Sequence, residues 1–199
     1  MGDRFEALTD AHRRFIGGQK IFFVATAGRE GSVNLSPKGQ ASLIVRDPKR
    51  ILWLNFTGSG NETAAHLLDT NRITLMWCAF EGPPLILRVY GRARAIHPDE
   101  PDWAECAARI PATVGARQYF DVAIERVTTS CGYGVPLHAY EGERSAMTRW
   151  AEKKGEAGIR EYWREKNRVS LDGLPTRATD LTAGPGSTSA STSRAGEAE

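Results

Sequence analysis

The segment Leu52-Trp53-Leu54-Asn55-Phe56-Thr57-Gly58-Ser59-Gly60-Asn61-Glu62-Thr63-Ala64-Ala65-His66-Leu67-Leu68 decides how this chain is read. An alternating strand runs into a small polar loop, and the loop opens directly into a helix. Gly58 and Gly60 allow the backbone to approach a ligand closely, while Ser59, Asn61 and Thr63 offer short hydrogen-bonding side chains. Asn61 is a good N-cap for a helix starting near Glu62, and the free amides of that first turn, with the helix dipole, favour an anion. Two readings stay open: a phosphate cradle, or an ordinary capped turn between strand and helix. The loop is neither a Rossmann fingerprint nor a Walker loop, because the third glycine and the Gly-Lys pair are missing.

Working outward, residues 42–45 and 51–56 form a predicted hairpin turned by Asp47-Pro48-Lys49-Arg50, with Pro48 suited to the second position of a type I turn. Further upstream lie a short helix over 9–17, stopped by Gly17-Gly18, and a buried strand over 21–26. After the Gly28-Arg29-Glu30-Gly31 turn comes a second strand, 33–37, in which Asn34, Ser36 and Lys38 share one face and Val33, Leu35 and Pro37 the other. Such a polar face lies either in solvent or along a polar ligand cleft. Downstream, 72–80 and 85–96 read as strands, and Gly91 marks a bulge or a tight barrel corner. A helix over 98–109, a last strand over 119–129 and two short helices over 145–154 and 158–167 complete the pattern. Strands joined by short turns predict a mainly β, α+β fold: an antiparallel sheet curled into a barrel with peripheral helices. One domain is expected over 1–176, and the Gly, Ser, Thr, Ala and Pro composition from 177 to 199 predicts a disordered tail.

Composition excludes several classes. A formal charge of +2 over 199 residues, with Arg and Lys spread along the chain, gives no support to nucleic-acid binding. Hydrophobic residues at 41% and charged ones at 25% are ordinary for a globular domain, and no apolar run approaches the length of a bilayer span. Three scattered cysteines fit neither a disulfide framework nor a zinc spacing, so a soluble cytoplasmic protein is expected.

The junction from Asn55 to Leu67, the strand Arg72-Ile73-Thr74-Leu75-Met76-Trp77 and the run Leu87-Arg88-Val89-Tyr90-Gly91 resemble the pyridoxamine 5'-phosphate oxidase-like flavoproteins. The resemblance implies a split β-barrel and a homodimer, with FMN, or in some branches the deazaflavin F420, in a cleft between subunits. It places the flavin phosphate at the start of the central helix near Asn61 and Thr63, beside Phe56 and Thr57. It lays Asn34-Leu35-Ser36-Pro37-Lys38 along the isoalloxazine ring. The chain departs from the oxidase pattern at Asn61-Glu62-Thr63, where the family has a basic Ser-Arg-Lys run. It departs again at Val33, where the family has an arginine, and at Ile86, where it has a glutamine. Lys38 and Arg88 are the nearest cations to compensate. The oxidase's basic, tryptophan-containing substrate segment has no recognisable counterpart, so the resemblance implies a divergent flavin-dependent oxidoreductase with a small organic substrate rather than a vitamin B6 oxidase. F420 dependence, or a non-catalytic flavin- or haem-binding role, is the alternative.

Other candidates are fewer. Trp163, Lys166 and Arg168 suit a clamp on a planar anionic substrate, or else belong to a solvated helix whose tryptophan packs on the barrel. Cys131 is a nucleophile candidate with His138 as base, and His66 stands on the central helix near any ligand; each is also an ordinary structural residue. The four histidines show no metal-ligand spacing.

Overall fold

The computed structural model describes residues 2–39 and 41–178. The tail expected from residue 177 therefore lies, beyond Ala178, outside the described residues. The elements follow in the order β1 (Arg4–Phe5), α1 (Asp10–Gly18), β2 (Phe22–Ala27), β3 (Val33–Lys38), β4 (Leu43–Asp47), β5 (Arg50–Phe56), α2 (Glu62–Asp69), β6 (Arg72–Cys78), β7 (Ile86–Ile96), α3 (Trp103–Arg109), β8 (Ala116–Ser130) and α4 (Ala146–Lys166). The strands pair antiparallel in one sheet of order β3-β2-β6-β7-β8-β5-β4, with the two-residue β1 added on β8. The mainly β, α+β architecture read from the sequence is present, but the sheet is not closed into a barrel: β3 and β4 are its two ends. Pro37 on β3 lacks an N–H, and such a residue is tolerated at an edge rather than inside a ladder.

The strand before the central loop is buried on both faces, and alternation sorts its side chains between two cores. Ile51 and Trp53 enter the main cluster with Val24, Leu75, Val89, Phe120 and Val127. Leu52 and Leu54 face the opposite way, onto Ile96, Cys106, Ile110 and Tyr119, where α3 covers the sheet. Trp53 stacks on Phe120 with centroids 4.7 Å apart and meets Phe22 edge-on at 5.8 Å. β3 inverts this pattern. Its apolar Val33 and Leu35 are 73% and 65% exposed, and its polar Asn34, Ser36 and Lys38 are the half-buried ones.

Glycines set two of the corners. At Gly91 the β7–β8 register shifts: Tyr90 pairs with Arg126 and Gly91 with Ile124, so Glu125 is the extra residue of a bulge. The two predicted C-terminal helices form a single element broken at Gly155, whose φ of 63° and ψ of 175° no helix accommodates.

Candidate functional site: an anion corner in a deep cleft

A cleft of about 1010 Å³ lies between the polar face of β3, the end of β5, the loop Gly58-Ser59-Gly60 and the start of α2. Asn34, Ser36, Lys38, Phe56, Asn61 and Thr63 all line it, so the polar face of β3 borders a cleft rather than open solvent. Asn34 Nδ2 donates to Thr63 Oγ1 at 3.3 Å and to Thr26 Oγ1 at 3.2 Å, which ties β3 to the first turn of α2. Asn61 occupies the N-cap position, yet its side chain does not cap the helix. Its Oδ1 accepts from Gln118 Nε2 at 2.7 Å, and its buried Nδ2 has no partner among the described residues.

The decisive cation of the cleft is Arg117 on β8. It is 3% exposed, and its Nη1 donates to Asn167 Oδ1 at 2.6 Å while Nη2 donates to the Gly60 carbonyl at 3.0 Å. Among the described residues its Nε has no partner, and no carboxylate pairs with it. Burial without a counter-ion pulls its pKa down to about 9. Lys38 is depressed to about 8, first by burial and then by the nearby Arg117 charge; its Nζ stands 5.4 Å from the centre of the Trp53 ring. Two cations kept in a cleft against their desolvation cost, with only neutral partners, make a site that an anion completes. Glu62, at the head of α2, accepts from the Leu171 N–H with both carboxylate oxygens at 3.1 Å.

Most other sequence candidates fall outside the cleft, although His138 lines it. The Leu35 side chain points to the opposite face of β3, so only its backbone can serve a ligand there. Thr57 is buried behind the loop, donating to Gly115 O at 2.8 Å and accepting from Trp163 Nε1 at 2.8 Å. Arg88 lies on β7 opposite Thr128 and donates to Ser130 Oγ at 3.1 Å; it does not line the cleft of its own chain. Trp163 is buried with Ala151 and Ile159 on the inner face of α4, and Lys166 and Arg168 are exposed and do not line the cleft, so the three are not brought together around it. Cys131 is exposed, whereas the His138 ring stands edge-on to Phe80 at 5.4 Å. His66 is a core residue bonded through Nδ1 to Thr26 Oγ1 at 3.1 Å. Among the described residues no group of acidic, cysteine and histidine side chains can hold a metal.

Because Trp163 acts behind the site, Trp163→Phe is expected to lower stability by about 1 kcal/mol through the lost bond to Thr57. Urea denaturation checks this, and ligand affinity should not change.

Three residues that sequence reasoning does not single out complete the site. Arg117 and Gln118 precede the apolar run of β8 and read as loop residues, and Asn167 follows the last helix as its C-cap. Their one available signal is polarity at the ends of apolar elements. Lys20, Phe80, Glu81, Tyr140, Arg144 and Met147 also line the cleft and give it a mixed aromatic and charged wall.

An antiparallel open sheet with an anion corner at a strand-loop-helix junction defines a class of ligand-binding α+β protein, and comparison with known proteins makes the class specific. The family model for pyridoxamine 5'-phosphate oxidase matches residues 8–131, so the chain belongs to that family. The pyridoxamine 5'-phosphate oxidase family protein ustO of Aspergillus flavus is 34% identical over 191 residues, covering 86% of this chain and 76% of ustO. Two solved structures share the fold at a TM-score of 0.50. One is a Lactobacillus delbrueckii protein provisionally called a pyridoxamine 5'-phosphate oxidase, 20% identical over 62% of this chain and 94% of its own. The other is a single-substitution variant of HupZ from Group A Streptococcus, 21% identical over 61% of this chain and 98% of its own.

Proposed function

We propose that the protein is an FMN-dependent oxidoreductase acting on a small organic substrate, working in the cytoplasm as a homodimer with the cofactor near the subunit interface. The observation that carries this reading is Arg117: a buried cation with no carboxylate partner among the described residues, lining a large cleft in a chain of this family. The residues present fit a flavin phosphate. Arg117, the unpartnered Asn61 Nδ2, Thr63 and the first amides of α2 would hold it, replacing the basic run that this chain lacks. The unpaired edge of β3, with Ser36 and Lys38, would lie along the ring system, and the exposed Val33 and Leu35 on its outer face supply apolar surface for a second copy. Among the described residues no helix is long and apolar enough to cross a membrane.

FMN would supply the redox chemistry, and the protein would supply orientation and charge. Lys38 can hold or release a proton at Nζ close to neutral pH, since its pKa is about 8. The wall of Phe80, Tyr140 and Met147 offers apolar and aromatic contact to the substrate, with Lys20, Glu81 and Arg144 at its polar positions.

The test is a titration of purified protein with FMN, FAD, F420 and haem, followed by turnover assays with nicotinamide donors and oxygen. Saturable FMN binding with turnover supports the reading; preference for F420 or haem, or binding without any turnover, counts against it. The same titration carries a pH prediction. Lys38 is charged below about pH 8 and neutral above it, so affinity for the FMN anion should fall as pH rises from 7 to 9, the lysine beside the ring adding its charge to that of the nearby Arg117. Lys38→Met should lessen that fall, and what remains near pH 9 belongs to Arg117, whose pKa is about 9. In the free protein the sign for stability is opposite, because a depressed lysine pKa is a penalty at low pH that is relieved as pH rises from about 8 towards the ordinary lysine value of 10.5.

A further inference from the structure

Behind the anion corner, Asn167 is completely buried and sits where three parts of the chain converge. Its Nδ2 donates to the carbonyls of Gly58 at 3.0 Å and Ser59 at 3.3 Å, and its Oδ1 accepts from Arg117 Nη1 at 2.6 Å. The Arg117 guanidinium then binds the next carbonyl, Gly60 O, at 3.0 Å. Asn167 itself is fixed from both sides: its N–H donates to Trp163 O at 2.9 Å, and its carbonyl accepts from Thr176 Oγ1.

The consequence for the loop is geometric. In a trans peptide, as every peptide of this loop is, the C=O and the following N–H point in opposite directions. With the carbonyls of Gly58, Ser59 and Gly60 all drawn back towards Asn167 and Arg117, the N–H groups of Ser59, Gly60 and Asn61 point the other way. None of these donates to a backbone carbonyl among the described residues. Successive free amides of this kind form a concavity for an anion, and the loop that carries them lines the cleft. Arg117 and Asn61 line the same cleft, and Arg117 Nε and Asn61 Nδ2 are both buried and without a partner among the described residues.

We propose that Asn167 is the positioning residue of the phosphate corner, turning the Ser59, Gly60 and Asn61 amides towards the ligand and fixing the Arg117 guanidinium against the carbonyl side of the loop. It touches no ligand itself, and it lies outside the residues 8–131 that the family model matches. The segment after α4 thus compensates for the basic run this chain lacks. It supplies directed amides and one fixed guanidinium in place of additional side-chain charge.

This inference rests on the FMN reading, and comparing FMN with riboflavin separates the two. Riboflavin keeps the ring system and lacks the phosphate. For Asn167→Ala and Asn167→Asp the FMN Kd should rise about tenfold or more, with riboflavin affinity held within about twofold. Asn167→Asp should suffer more, because a carboxylate there neutralises Arg117 and repels the Gly58 and Ser59 carbonyls. Asn167 is overturned as a positioning residue if both variants bind FMN as the wild type does, or if FMN and riboflavin weaken equally, which marks a purely structural role. A wild-type protein that binds neither ligand overturns the FMN reading itself, and this inference with it. In the amide NMR spectrum, FMN should shift the Ser59, Gly60 and Asn61 signals of the wild type and leave them unmoved in Asn167→Asp; movement in both proteins counts against the proposal.

Discussion

Replacing Arg117 by methionine is expected to weaken FMN binding by about two orders of magnitude while the apoprotein stays folded. A hydrogen bond to a charged group contributes about 1.5–3 kcal/mol, so losing one or two of them to a phosphate amounts to roughly a hundredfold in Kd. The apoprotein should tolerate the change because the guanidinium is held at a desolvation cost and has only neutral acceptors, Asn167 Oδ1 and Gly60 O. The desolvation cost that is relieved is set against Asn167 Oδ1 and Gly60 O, which lose their donor at a cost of about 1–3 kcal/mol when left unpaired, so apoprotein stability should fall by about 2 kcal/mol or less. Fluorescence quenching of FMN and thermal unfolding with and without ligand give both quantities. In the wild type, FMN at about a hundred times its Kd should add about 2.7 kcal/mol of stability. In Arg117→Met that increment should nearly vanish. An unchanged FMN affinity would show that the phosphate sits elsewhere in the cleft. A collapse of the apoprotein would show that Arg117 is a structural strut.

Much of the fold is legible in the sequence because its signals are local. The Asp47-Pro48-Lys49-Arg50 turn, the stop after the first helix and the alternation in β5 each act over a few residues, and each fixes an element where expected. The polar face of β3 is legible for the same reason, and its position beside a cleft follows once the sheet order is known. Arg117 is not legible. Its importance comes from Asn167, fifty residues further on, and from a loop reached across the sheet, and nothing in Ala116-Arg117-Gln118 distinguishes it from a solvent-facing arginine. Arg88 stands out instead because its position in an apolar strand is unusual, yet Ser130 on the neighbouring strand accounts for that position. Trp163 misleads for a different reason. Its spacing of four from Ile159 is a helical core stripe, and that period is a better guide than the cations close to it in sequence.

Gly91→Ala is expected to be the most damaging small substitution in the sheet. A Cβ at this position would lie 3.0 Å from the Ala123 carbonyl carbon and closer still to its oxygen, far inside van der Waals contact. The obstacle is backbone, so no side-chain rotation relieves it. Gly91 sits in β7 opposite the bulge at Glu125, paired on both sides with β6 and β8, and β7 and β8 carry Val89, Ala93, Val122 and Ile124 into the main core. Moving β8 away would open that core and disturb the strand that begins with Ala116 and Arg117. Overpacking costs of about 1–3 kcal/mol are typical where side chains can yield, and here the backbone cannot, so a loss of about 3 kcal/mol or more is expected. For a chain of this size that corresponds to a fall in Tm of roughly 6–12 °C, measurable by circular dichroism. Gly58→Ala provides the contrast, since an added Cβ there meets nothing within 4 Å, and its Tm should stay close to the wild-type value. Equal stability of the two variants would mean that the bulge relaxes freely. In that case Gly91 would serve the twist of the sheet rather than the close approach of β7 to β8.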